Sequence, residues 1–149
     1  MKPILCVIDL SESSANVLEV AAKMATLKKA HLTILFPYRL IDYGYNGEAG
    51  KLKAKLEQDA RENFSLIKNK IASMNDLSYE FQPEIGFAGD RINSFVKKNN
   101  LDMIIISQRQ ANTISEINGM VLQHFIINSQ IPFTIVPEKM GIGIFSPNI

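Results

Sequence analysis

Pro3-Ile4-Leu5-Cys6-Val7-Ile8-Asp9 is an unbroken apolar run that stops at a charge. A strand of that composition has to be covered on both faces, which is the situation inside a parallel sheet. Leu10-Ser11-Glu12-Ser13-Ser14 follows at once. Ser11 reads as an N-cap with Glu12 in the first turn, and Val17, Leu18, Val20, Ala21, Ala22, Met24 and Ala25 give the broad apolar stripe of a packed helix. Strand, tight turn and helix therefore succeed one another within the first thirty residues.

The same unit recurs along the chain. His31 to Pro37 reads as a second buried strand, which Pro37 should end because it has no N–H to donate. Residues 41–50, rich in glycine and carrying Tyr43 and Tyr45, read as a mobile lip over the strand ends. From Lys51 to Met74, Leu52, Leu56, Ala60, Phe64, Ile67 and Ile71 recur at three- and four-residue spacing, with Lys53/Glu57 and Glu57/Arg61 able to pair on the wet side. Leu77, Tyr79 and Phe81 alternate with polar residues and run up to Pro83, the pattern of a half-exposed edge strand. A short helix carrying Ile92, Phe95 and Val96 leads to a fourth strand, Leu101 to Ser107. Thr113-x-x-Glu116 has capping-box spacing, which places a helix start near Ile114. Phe133-Thr134-Ile135-Val136, between Pro132 and Pro137, is a short fifth strand.

Five strands alternating with four helices predict a single-domain, doubly wound α/β fold with helices on both faces of a parallel sheet. An edge third strand and a central first strand fit the order 3-2-1-4-5. In such sheets a ligand crevice lies beyond the carboxyl ends of the strands where the winding reverses. Asp9, Leu10 and Ser11 then form one lip and Ser107 to Gln110 the other, with Pro37 nearby. Asp9 admits two readings at this point, a capping or solvated carboxylate and a ligand contact.

Composition narrows the function. The chain has 149 residues, 16 Lys plus Arg against 15 Asp plus Glu, and 46% apolar residues, as one globular domain requires. A net charge of +1 without a Lys/Arg block argues against general nucleic-acid or lipid binding. No apolar stretch approaches the roughly 18 residues of a membrane span. Asp9 comes too early for a signal-peptide core, and one cysteine builds no disulfide framework, so the expected address is the cytoplasm. Cys6, inside the first strand, reads as a packing residue. Neither His31 nor His124 has a partner at metal-ligand spacing. With no nucleophile and base constellation and no metal set, the chain reads as noncatalytic.

Two relatives of this topology are disfavoured. A receiver-type phosphorelay domain needs an Asp after strand three, where Ile85-Gly86-Phe87 stands. A flavodoxin needs a hydroxyl- and glycine-rich phosphate loop after strand one, where Asp9-Leu10-Ser11-Glu12 would repel a phosphate.

Taken in order, Pro3 to Ser14, Leu32-Thr33-Ile34-Leu35, Gly86, Leu101 to Ile106, and Gly119 followed thirteen residues later by Pro132 and the run to Pro137 resemble the universal stress protein family. The likeness covers about residues 2–137 and sets a domain over 1–137 with a tail over 138–149. It implies a cytoplasmic homodimer serving stress survival, in one of two groups. One group binds ATP through an Asp after strand one and a G-x2-G-x9-G-[ST] loop after strand four; the other lacks the loop. By the resemblance Asp9 matches the adenosine-contacting Asp, and Val7, Pro37 and Ile106 match positions lining the adenine slot. Ser107 and Gln110 stand where the first two glycines belong, Gly119 matches the third, and Met120 replaces the hydroxyl residue. Only eight residues separate Gln110 from Gly119, one fewer than the pattern.

Glycines let backbone N–H groups close around phosphate oxygens, and Gln110 puts a side chain there instead. Arg109 is either a replacement charge for the phosphates or a solvated loop arginine. The expectation is a noncatalytic stress-response dimer acting through an unidentified protein partner, requiring no cofactor and binding ATP or AMP weakly at best. The alternative is an adenine-nucleotide switch built on Asp9 and the loop after strand four. Dimerisation is expected through Phe133, Thr134, Ile135 and Val136, an apolar edge. In the tail, Ile142, Ile144 or Phe145 is expected to pack on a neighbouring surface.

Overall fold

The computed structural model describes residues 2–40, 49–71, 76–117 and 130–138. Five strands, β1 (Ile4–Val7), β2 (Leu32–Tyr38), β3 (Tyr79–Ile85), β4 (Met103–Ser107) and β5 (Phe133–Val136), form one parallel sheet in the order β3-β2-β1-β4-β5. Helices α1 (Ser13–Lys28), α2 (Ala49–Ile67), α3 (Ala88–Lys98) and α4 (Gln108–Ile117) make the crossovers.

Both faces of the sheet are buried, as the unbroken apolar strands require. Ile4, Cys6, Ile8, Leu32, Ile34 and Phe36 pack with Val17, Leu18 and Ala21 of α1 and Ala60 and Phe64 of α2. Leu5, Val7, Leu35, Ile104 and Ile106 face the other way, onto Ile92 of α3 and Ala111 and Ile114 of α4. Burial pushes the Cys6 thiol well above its ordinary range, which leaves it a packing group. On the α2 side Phe64 stacks on Phe81 at 4.4 Å between ring centroids.

Several local expectations are corrected. β2 runs through Pro37 to Tyr38, and β3 runs through Pro83 to Ile85. The reason is direction. Leu32 N–H and Tyr38 C=O face β3, and Leu35 C=O faces β1, so Pro37 shares Leu35's side, where β1 has already ended. Alternation likewise turns Pro83 outward from the sheet edge, and neither proline removes a ladder bond. α2 begins at Ala49, ahead of Lys51, and tightens into a 3₁₀ turn at Lys68–Lys70. α4 begins at Gln108, six residues before Ile114. Thr113 is therefore inside the helix, its hydroxyl donating to the Arg109 carbonyl at 3.0 Å in place of a cap. Ser11 does not cap α1 either; Glu12 holds the cap position with no side-chain bond, and Asp9 organises the turn. Residues 41–48 of the expected 41–50 lip, Gly119, Met120, His124 and the tail residues Ile142, Ile144 and Phe145 lie outside the described residues, and Ala49 and Gly50 belong to α2 instead of the lip.

Candidate functional site: the carboxyl ends of strands one and four

β1 and β4 are adjacent and parallel, with Val7 opposite Ile106, so the chain leaving each strand emerges at the same edge. From β1 come Asp9, Leu10 and Ser11; from β4 comes α4 with no intervening loop. The two lips expected from the sequence are thus brought together.

On the first lip, Asp9 Oδ1 accepts from Ser11 N–H at 3.0 Å, from the Ser11 hydroxyl, and from the Ser14 hydroxyl at 3.0 Å. This is an Asx-type turn, in which a carboxylate two residues upstream of an amide replaces a backbone acceptor. Closing it forces Leu10 to φ +61°, a left-handed conformation that a non-glycine residue holds only where its surroundings over-determine it. Asp9 Oδ2 faces Arg109 Nε at 3.6 Å.

On the second lip, Ser107 is the last residue of β4 and the N-cap of α4. Its hydroxyl accepts from Gln110 N–H at 3.0 Å, the third helical position, as a serine cap does. This cap explains how a helix can begin directly after a strand without glycine. Arg109 N–H donates to the carboxylate of Glu138 at 2.9 Å. Glu138 arrives there because β5 runs parallel to β4, with Val136 opposite Ser107, so its carboxyl end exits beside the start of α4. A carboxylate at a helix N-terminus is favoured by the exposed amides and the helix dipole. The anion on this helix start is the protein's own.

Gln110 lies between the lips, 5% exposed, its Nε2 donating to the Ile8 carbonyl at 3.4 Å. Its Oε1 is buried without a partner among the described residues. The side chain fills space that a glycine would leave open.

Of the residues matched to an adenine slot, Val7 and Ile106 are wholly buried in the α3/α4 layer, and Pro37 is half-buried at the end of β2. Beside Asp9, on the α1/α2 side, opens a cleft of about 320 Å³ lined by Asp9, Leu10, Phe36, Tyr38, Leu56, Asp59, Ala60 and Asn63. Tyr38 donates its hydroxyl to Glu57; burial first, then that bond, pushes its phenol well above the ordinary range. The sequence reading missed this wall. Phe36 was legible only as a strand residue, Tyr38 fell beyond the strand's expected end at Pro37, and nothing singled out Asp59 or Asn63 on the long helix. Glu138 was missed too, for it carries no motif and is placed by strand order alone. Among the described residues no cluster of His, Cys, Asp and Glu could hold a metal ion.

An open parallel sheet in the order 3-2-1-4-5, with a cleft beside Asp9 at the end of β1, defines an α/β domain of the doubly wound class. A family model described as the universal stress protein family matches residues 1–137, and the chain belongs to that family. No curated protein matches the sequence. Solved structures show the same fold. A universal stress protein in complex with cAMP superposes with a TM-score of 0.61 at 18% identity, covering 91% of this chain and 97% of that one. The universal stress protein UspA of Lactobacillus plantarum gives 0.65 at 17% identity, covering 93% and 97%. A universal stress protein of Archaeoglobus fulgidus in complex with dAMP gives 0.56 at 18% identity, covering 93% and 98%. Among the described residues no helix is long and apolar enough to cross a membrane.

Proposed function

We propose that this protein is a cytoplasmic, noncatalytic stress-response homodimer of the family group with a degenerate ATP loop, acting through contacts with another protein. The observation that carries the reading is the first turn of α4. Its two amides best placed for a phosphate are already engaged, Gln110 N–H by the Ser107 hydroxyl and Arg109 N–H by the Glu138 carboxylate. The buried Gln110 side chain occupies the place where the ATP-binding pattern has a glycine. Hydrogen bonds to charged groups contribute roughly 1.5–3 kcal/mol each, so losing two weakens phosphate binding by about 3–6 kcal/mol. That is roughly 10²- to 10⁴-fold, which moves a micromolar site toward the millimolar range. Dimerisation through Phe133, Thr134, Ile135 and Val136 is supported by the position of β5 at the end of the strand order and by its short apolar sequence, the kind of edge a second chain can extend.

A second reading keeps an adenosine-binding switch at Asp9. It is favoured by the neighbours in complex with cAMP and dAMP and by the cleft beside Asp9 with its Phe36 and Tyr38 wall. Calorimetric titration with ATP, AMP and adenosine separates the two. Absent or millimolar ATP binding is expected, and submicromolar ATP affinity that Asp9→Asn abolishes in a folded protein would overturn the first reading. Light scattering is expected to give a dimer mass; a monomer at micromolar concentration would overturn the dimer.

A further inference from the structure

The carboxyl ends of β2 and β3, on the far side of β1 from β4, bring two cationic side chains to one turn. Gly86 leaves β3 with its N–H donating to the Tyr38 carbonyl at 2.7 Å, and its backbone takes φ +137°. Arg91, in the first turns of α3, lays its stem back across this glycine. A Cβ added at Gly86 would stand 2.8 Å from Arg91 Nε and 3.1 Å from its Cδ. Arg39, the residue after β2, sits on Phe87 with its guanidinium carbon 3.9 Å from the ring centroid. The two guanidinium side chains thus flank Gly86-Phe87 where the chain enters α3.

Both arginines are half-buried, and neither pairs with a carboxylate among the described residues. Arg91 Nε is buried without an acceptor. Removing a guanidinium donor from water without a partner is costly, so such groups are ordinarily met by an anion. α3 adds to the imbalance. Phe87 holds the cap position in an extended conformation and offers no side-chain acceptor, and the first intrahelical bond is Arg91 N–H to the Phe87 carbonyl. The amides before Arg91 therefore have no partner within the helix. Asp90 in the first turn is exposed and forms no hydrogen bond to them among the described contacts.

We propose that Arg39, Arg91 and the start of α3 form an anion site for a phosphoryl group, separate from the Asp9 crevice. Guanidinium forks bind oxyanions in pairs of parallel hydrogen bonds, and Arg39 is held flat by the ring beneath it, which lowers the entropy lost on binding. Two guanidinium groups and a helix start present more donors than the two oxygens of a carboxylate can accept. A phosphoryl group offers three strong acceptor oxygens and up to two charges. The ligand is a free phosphate or a phosphate monoester.

The test is a titration of the full-length protein with inorganic phosphate, AMP, adenosine and acetate, followed by NMR of the arginine Nε–H and backbone amide resonances. Phosphate is expected to move Arg39 and Arg91 Nε–H and the Ala88 amide saturably, with acetate and adenosine leaving them in place. AMP binding tighter than phosphate through these resonances identifies a monoester as the ligand, and equal or weaker AMP binding identifies free phosphate. Arg39→Gln, and Arg91→Lys, which keeps the charge and stem but removes the fork, should each weaken phosphate roughly tenfold while the melting temperature stays near wild type in at least one of them. Phosphate shifts confined to Arg109 and Gln110, shifts that never saturate, an affinity indifferent to both variants, or movement of these resonances by adenosine would overturn the proposal.

Discussion

Replacing Asp9 by alanine should unfold the protein more easily at pH 7, even with no ligand present. In the structure one oxygen of Asp9 collects three donors, Ser11 N–H and the hydroxyls of Ser11 and Ser14. Alanine removes the acceptor that organises the entry to α1, a loss of the kind that costs about 1 kcal/mol at a helix cap. It also strands the Ser14 hydroxyl, which is only 1% exposed; an unsatisfied buried donor costs about 1–3 kcal/mol. The Arg109 contact at 3.6 Å is partly exposed and adds little. The two main losses give about 2–4 kcal/mol, or roughly 4–16 °C in melting temperature for a chain of this length. Relief of the left-handed strain at Leu10 would recover at most part of it. Urea denaturation of wild type, Asp9→Ala and Asp9→Asn measures the effect, with Asn expected between the others because its amide oxygen can still accept. A change below about 0.5 kcal/mol for Asp9→Ala would refute the structural role and leave Asp9 as a ligand group alone.

Gly86→Ala should lower stability by about 1–3 kcal/mol in chemical denaturation, since φ +137° excludes a side chain and the new methyl meets Arg91 at 2.8 Å. Combining Gln110→Gly with Glu138→Ala removes the acceptor on the Arg109 amide and opens the space beside it, and calorimetry should show ATP affinity rising roughly tenfold over wild type. Ile135→Asp on the β5 edge should shift the mass in light scattering from dimer to monomer with the far-ultraviolet dichroism unchanged. Hydrogen bonding from Gln82 and then from His31, against the opposing effect of burial, holds the Glu80 carboxyl below its usual range. A depressed carboxylate pKa stabilises the fold above the unfolded value, near 4.3, and that contribution is lost as pH falls through the folded value. The stability gap between wild type and Glu80→Gln should therefore be present at pH 7 and close in acid; a gap independent of pH would refute the assignment.

The sequence alone determined the sheet and its winding. Ile4 to Ile8 and Met103 to Ile106 are apolar at every position, a pattern only a strand buried on both faces sustains, and parallel pairing needs the helical crossovers that the intervening periodicity supplies. The alternation of Tyr79 and Phe81 with polar neighbours likewise placed β3 at an edge. Asp9 and Arg109 were legible as facing lips, because strand order brings the ends of β1 and β4 together. What fills the space between those lips was decided by tertiary structure. Pro37 and Pro83 continue their strands because the side on which each lacks an N–H has no partner, a fact of sheet position that local propensity does not contain. Ser107 rather than Thr113 starts α4, because a hydroxyl at a strand end can serve as a helix cap once the chain turns there. Glu138 lies 29 residues from Arg109 along the chain and reaches its amide only through the parallel register of β4 and β5. Arg39 and Arg91 come to the neighbouring residues Phe87 and Gly86 for the same reason, since β2 and β3 end side by side and Gly86 leaves the room. Local pattern fixes which faces are apolar; the register of neighbouring strands fixes which polar groups converge at their ends.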